Sequence, residues 1–287
     1  MTKRTKDGGA FQRVSEELRV RLSDGGYPLG SFLPSQKTLA QEFGVSRDTV
    51  QRALRELGSE GWIESGRGRG SRVVRQHAQS SAPRAGRSRH RPMTLGPLIG
   101  EAFERDEVTL DISTLTSESL DAHIRVQAER IRAGDISPRR IQLRMLLPSE
   151  TQDMPYPRAK DHPDDPRLPE RLRAITEAHT ASLRTVLDQL RTERLVAEVL
   201  LEIRRTRLTP TFKLYVINRD EVLHGFYEPL LRTVILPDGT EVEAVDVLGF
   251  GATLTHHIRD ADPVSPGSAF VAASTRWFDA VWELLAL

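Results

Sequence analysis

The segment Val45-Ser-Arg-Asp-Thr-Val-Gln-Arg-Ala-Leu-Arg55 concentrates side chains suited to reading polar edges. At a helical period Val50, Ala53 and Leu54 fall on one stripe, which turns Arg47, Asp48, Gln51, Arg52 and Arg55 onto or near the outward faces. The Arg47 guanidinium is a planar fork that can bind guanine O6 and N7 together, or clamp a phosphate. Gln51 can address adenine through its amide. Asp48 can accept from a cytosine amine or favour a helix N-terminus through the dipole. Ser46 can cap the helix, and Thr49 can touch a backbone phosphate. Lys37 lies upstream as a point charge, and Gly66-Arg-Gly-Arg-Gly70 downstream places Arg67 and Gly68 at the tip of a turn. Together these residues have the chemistry to grip a duplex by its phosphates and read its base edges.

Such side chains need rigid supports, and the surrounding pattern supplies them. Phe11, Val14, Leu18 and Leu22 recur at helical spacing, so residues 10–23 should form a first amphipathic helix, ended by Asp24-Gly-Gly26. Ser35 can cap a second helix with Leu39, Ala40 and Phe43 inward, and Gly44 supplies the turn into the third. In that third helix Val50, Ala53, Leu54 and Leu57 form the buried stripe. Trp62-Ile63-Glu64 and Arg72-Val73-Val74 should be the strands of a hairpin tipped by Gly66 to Gly70. Two short helices, a turn and a hairpin in this order are a winged helix-turn-helix, which lays one helix in the DNA major groove.

The ordered run Pro28, Gly30, Leu33-Pro34-Ser35, Leu39-Ala40, Phe43, Val45-Ser46-Arg47, Thr49-Val50, Ala53-Leu54, Leu57, Gly61 and the Gly66–Gly70 wing resembles the DNA-binding domain of the GntR family of bacterial transcription regulators. The resemblance covers roughly the first quarter of the chain. It implies DNA contacts from Lys37, Ser46, Arg47 and Thr49, with Arg67 and Gly68 reaching the minor groove. Lys37 stands where an arginine is usual, and Gln51 where many relatives carry arginine, so the operator should differ from theirs.

Composition agrees with that division of labour. Residues 1–92 hold 18 Lys+Arg against 9 Asp+Glu, a net of +9, whereas 93–287 carry a net of −8. A basic head suits the phosphate backbone and an acidic body is repelled by it. The 287 residues contain no cysteine, which excludes disulfides, thiolate metal sites and cysteine catalysis. No apolar run reaches a membrane span and no signal-peptide pattern opens the sequence, so a cytoplasmic protein without membrane association is expected. His77 to Pro92, rich in Ser, Pro, Gly and Arg, reads as a flexible linker, either a plain tether or one that brushes DNA.

Beyond Met93 the pattern alternates between strand and helix. Strands are expected at Val108–Ile112, Arg140–Leu147, Leu195–Arg205, Phe212–Asn218, Val222–Tyr227, Thr233–Leu236 and Glu241–Val247. The last two flank the turn Pro237-Asp-Gly239. Helices are expected over Ser117–Ala133, from the end of a Pro148–Pro169 loop to about Glu193, and over Ala269–Leu287. This mixture fits an all-helical, histidine-metal effector domain badly; a chorismate-lyase-like ligand-binding domain would suit it.

A third resemblance rests on Thr211-Phe-Lys213-Leu-Tyr-Val-Ile-Asn218 and the aromatic segment Arg276 to Trp282. These are similar to the His-x-Lys-x4-Asp motif and closing helix of phospholipase-D-like domains. Threonine replaces the histidine nucleophile and asparagine the aspartate, which implies a non-catalytic domain with Lys213 kept for an anionic effector or as a surface charge. An alternating half-buried strand explains the same residues. His256 and His257 are adjacent and would point to opposite faces of a strand, which argues against shared metal ligation.

The expectation is an α+β chain of two domains: a winged helix-turn-helix at 1–76, a linker at 77–92, and an α/β effector-binding and dimerisation domain at 93–287. It would be a regulator without enzymatic activity and without a cofactor. It would bind double-stranded DNA as a homodimer on a pseudo-palindromic operator, and its body would take a small-molecule effector. The alternatives are a DNA-tethered phosphodiesterase-like enzyme, or a ligand-independent structural or plasmid-maintenance DNA binder.

Overall fold

A computed structural model describes residues 11, 13–15, 17–19, 21–22, 27, 31–59, 62–66, 70–73, 79–80, 95–247 and 254–287. The chain divides into two compact units. The first comprises Met1–Gln76 with Pro155–Arg171 and Glu228–Gly251; the second comprises His77–Met154, Leu172–Tyr227 and Ala252–Leu287.

In the first unit the described residues between 11 and 22 are helical (α1) and bury Phe11, Val14, Leu18 and Leu22. Helix α2 (Gln36–Phe43) starts where the Ser35 side chain accepts the Thr38 N–H at 3.1 Å. It stops at Gly44, whose φ of 64° is left-handed and therefore suits a residue without Cβ. Helix α3 (Arg47–Ser59) follows at once. Its inward stripe of Val50, Ala53, Leu54 and Leu57 packs with Leu39, Trp62, Ile63 and Val73 in one apolar cluster. Strands β1 (Ile63–Gly66) and β2 (Gly70–Val73) pair antiparallel from Ile63↔Val73 to Gly66↔Gly70. Residues 31–33 add a short edge, with Leu33 N donating to Ser71 O and Val73 N to Ser31 O, both at 2.8 Å.

The same unit holds a three-stranded antiparallel sheet in the order β10 (Pro229–Ile235), β11 (Glu241–Val247), β6 (Arg158–Ala159). Its core is Ala159, Val234, Leu236, Ala244 and Leu168, the last from the first turn of helix α6 (Arg167–Thr192). Strand β10 begins four residues before the Thr233 expected from sequence. Asp238 turns the hairpin by accepting the Thr240 N–H at 2.8 Å, and Gly239 takes φ 89°.

The second unit is a seven-stranded sheet in the order β3 (Gln79–Ser80), β12 (Thr255–Ile258), β9 (Glu221–Phe226), β8 (Phe212–Ile217), β4 (Glu107–Ser113), β5 (Arg140–Pro148), β7 (Glu198–Thr206). Strands β4, β5 and β7 are parallel, and β8 runs antiparallel to β4. Helix α5 (Glu118–Ala133) links β4 to β5, and α6 leads from β5 towards β7. One face of the sheet buries Leu110, Ile112, Leu143, Met145, Tyr215 and Ile217 under α5, α6 and α4 (Leu95–Ala102). The other face buries Leu146, Leu214 and Val216 beneath α7 (Pro266–Leu284), through Val271, Phe278, Val281 and Trp282.

Element ends differ from the sequence reading for local reasons. Helix α6 starts at Arg167, inside the expected loop, because Pro169 sits in a first turn whose N–H groups need no helical partner. Strand β7 starts at Glu198 and not at Leu195. Arg194 takes φ 58°, and the Leu195 N–H still closes on Leu190 O of the helix. Helix α7 begins at Pro266, capped by Ser265, whose side chain accepts the Ser268 N–H at 3.1 Å. Among the described residues no helix is long and apolar enough to cross a membrane.

Candidate functional site

The outward end of α3 is built by its own cap. Ser46 accepts the Thr49 N–H at 3.1 Å, and the two hydroxyls lie 2.8 Å apart. That fixes the first turn, from which Arg47, Asp48 and Gln51 project as exposed side chains. Asp48 lies in the first turn, where the helix dipole favours a carboxylate. Lys37 is exposed in the first turn of α2.

Two residues of the expected contact set are placed differently. Thr49 is only 3% exposed, its hydroxyl turned to Ser46. Arg52 is half-buried, with its guanidinium 4.9 Å from the centre of the Phe11 ring, so it packs against α1. Both positions sit next to the buried stripe, and a helical wheel resolves that boundary poorly. Arg55 is exposed and donates to Glu241 at 2.8 Å. Arg67 and Gly68 lie outside the described residues.

The second unit has a cavity of about 220 Å³ at the carboxyl ends of its three parallel strands. Ser113 closes β4 and Thr114 follows it, Leu146 to Pro148 close β5, and Thr206 closes β7; Leu208 to Phe212 and Trp277 complete the wall. Strand ends of an open α/β sheet are where such folds place ligands. The Phe212 and Trp277 rings meet edge to face at 5.0 Å and give the wall an aromatic part. Sequence reasoning missed most of these residues, since strand ends far apart in the chain converge only in the folded sheet. Threonines at the ends of apolar strands were the one available signal.

Lys213 is not part of that wall. It is 5% exposed on β8, with Nζ 5.5 Å from the Tyr227 ring centre. Burial pushes its pKa down to about 8, opposed by the negative charge of Glu118. The Tyr227 hydroxyl accepts the Leu115 N–H at 2.8 Å and bonds the Thr114 hydroxyl at 3.0 Å, so the nest around Lys213 adjoins a cavity residue. Asn218, which stands for the aspartate of the phospholipase-D-like motif, accepts the Thr109 N–H at 2.8 Å and serves as a strand-end brace. His256 and His257 diverge as expected: His256 pairs with Glu221 at 2.7 Å, and His257 stacks on Phe270 at 3.9 Å.

The sequence pattern of the bacterial regulatory proteins of the gntR family matches residues 10–73, the segment that forms α1 to β2. Residues 10–73 are a GntR-family helix-turn-helix domain. Over 85 residues the chain is 36% identical to YdfD of Bacillus subtilis (strain 168), named an uncharacterized HTH-type transcriptional regulator; this covers 28% of the chain and 18% of that protein. Over 64 residues it is 36% identical to the Exu regulon transcriptional regulator of Escherichia coli (strain K12), covering 22% and 25%. The chain thus spans about a quarter or less of the length of these relatives. Among solved structures, the N-terminal domain of AraR in complex with mutant ORR3 is similar at 32% identity, over 23% of the chain and 93% of that domain, with a TM-score of 0.22.

Proposed function

We propose that this chain is a sequence-specific DNA-binding transcription regulator acting in the cytoplasm, with a body that binds a small-molecule effector and dimerises. The observation that carries the reading is the GntR-type α3, which is anchored on one face and presents Arg47, Asp48 and Gln51 to solvent from a capped first turn. Arg47 and Gln51 address base edges in the major groove, Lys37 and Ser46 hold phosphates, and Arg67 and Gly68 extend the contact into the minor groove. Two heads on a twofold dimer read a pseudo-palindrome. Relatives named as regulators support this direction.

The cavity at the strand ends is the effector site in this reading. Its hydroxyls, with Trp277 and Phe212, suit a small polar ligand, and Lys213 behind Thr114 biases it towards an anion. The phosphodiesterase alternative loses ground here. Thr211 needs an adjacent base to act as a nucleophile, and no residue lining the cavity is one.

The test is selection of genomic fragments by the purified protein, then fluorescence anisotropy of wild type and Arg47→Ala at two salt concentrations. The reading expects a short pseudo-palindrome bound at least ~10³-fold over random DNA, with most of that preference lost in the variant. Equal binding of all fragments by both proteins would sink it.

A further inference from the structure

The seven-stranded sheet ends on β7, and among the described residues no backbone segment pairs with that edge except at its far end. There Arg205 exchanges two backbone hydrogen bonds with Leu287, each 2.9 Å. At the near end Glu198 N donates inward, to Arg139 O beside β5, at 3.1 Å. Backbone groups alternate in direction along a strand, so even-numbered residues of β7 bond β5 and odd-numbered ones point away. Arg205 is occupied; Val199, Leu201 and Ile203 are left presenting an N–H and a C=O each to the outside.

This edge carries charged side chains, Glu198, Glu202, Arg204 and Arg205, but neither of the backbone devices that block pairing. It holds no proline, and its register with β5 is unbroken from Arg140↔Glu198 to Pro148↔Thr206, so no bulge turns it aside. Its core-side row, Val199, Leu201 and Ile203, packs on the main apolar cluster but is only partly buried.

We infer that β7 is the surface through which the chain pairs with a second copy of itself, antiparallel about a twofold axis at Leu201. Leu201 faces Leu201, and Val199 faces Ile203 on each side of the axis. All three outward residues then exchange both of their bonds, and the half-exposed apolar row is covered. On the opposite face Glu198 meets Arg204 twice. Arg204 is already held in place, with its guanidinium 4.5 Å from the Trp282 ring centre and bonded to Trp282 O.

Charge selects this register over its neighbours. Slipping by two residues one way places Glu198 opposite Glu202. Slipping the other way places Glu202 opposite Glu202 and calls on Arg205, which Leu287 holds. A slip of one residue sets outward groups against inward ones. In the favoured register the place opposite Arg205 falls to residue 197, just before β7 begins, so Leu287 stays where it is.

This inference rests on the dimer proposed above and names its interface, and it is tested without DNA, since oligomeric state is read from the protein alone. Sedimentation velocity of the full chain should show a dimer at ~10 μM, with self-association weakened at least ~10-fold by Leu201→Pro. The Leu201 N–H serves no bond within the sheet, so proline removes an intermolecular donor and leaves the monomer's ladder intact. Glu198→Arg should weaken the dimer comparably, and adding Arg204→Glu should restore it; this arm decides if the proline variant does not fold. Because the chain has no cysteine, Leu201→Cys should cross-link to itself under mild oxidation while Val264→Cys, exposed elsewhere, should not. A dimer indifferent to Leu201→Pro and Glu198→Arg, with no cross-link through Leu201→Cys, would overturn the β7 interface alone, whereas a monomeric wild type would overturn it together with the proposed dimer.

Discussion

Glu56 is 2% exposed, yet it meets three donors: Ser15 at 3.2 Å, Arg19 at 3.1 Å and Arg171 at 3.4 Å. A buried carboxylate persists only when so surrounded, and removing it strands the charge of Arg19, itself 8% exposed. Glu56→Ala should therefore destabilise the head by about 3–5 kcal/mol, measured by urea denaturation with hydrogen exchange on α3. His123 answers to pH instead. Burial alone lowers its pKa from 6.5 to about 4. Between those values the unfolded chain binds the proton and the native state does not. Stability is therefore complete above about pH 6.5 and falls as the pH drops towards 4, by up to about 3 kcal/mol. His123→Leu should flatten that part of the acid unfolding curve. An unchanged curve would place the acid sensitivity elsewhere.

Glycines set the reach of two elements, for different reasons. Gly44 ends α2 at φ 64° with open space where a Cβ would stand, so Gly44→Ala carries only a backbone penalty of about 1 kcal/mol. Gly267, in the first turn of α7, has its Cβ position 2.4 Å from Ile258 O on β12. Gly267→Ala must push helix and strand apart, and should lower the melting temperature well beyond the Gly44 variant. Calorimetry on both variants checks the order. The sequence made the head legible because every level agreed there: the α3 stripe, the Ser35 and Ser46 caps, and the Gly44 turn. In the body the strand periods and the Asp238-Gly239 turn were equally plain. Ends such as Arg194 and Pro266 were not, since they depend on a left-handed residue and a close approach that no periodicity records. The cavity stayed hidden for a related reason: strand order decides which ends meet, and alternation along one strand carries no information about its neighbours.

Across the whole molecule, charge and compactness follow different boundaries. The net charge of +9 on residues 1–92 and −8 on the remainder could be counted directly. The grouping of Pro155–Arg171 and Glu228–Gly251 with the first unit could not, because an apolar face shows that it is buried and not against what. A head of this charge should bind operator DNA with steep salt dependence, losing on the order of 10³-fold between ~50 and ~200 mM salt in a dimer with several phosphate contacts. If β7 joins two copies, Leu201→Pro should roughly halve the slope of log affinity against log salt while leaving Arg47 in play; titrations of both proteins would show it. Strand β7 also ends on Thr206, a wall of the cavity, three residues beyond Ile203 on the outward edge. If the cavity takes an effector and β7 joins two copies, a genetic selection for variants that no longer respond to that effector should therefore recover substitutions in two clusters, one around Thr206 and Trp277 and the other at 199–203, outside the cavity wall.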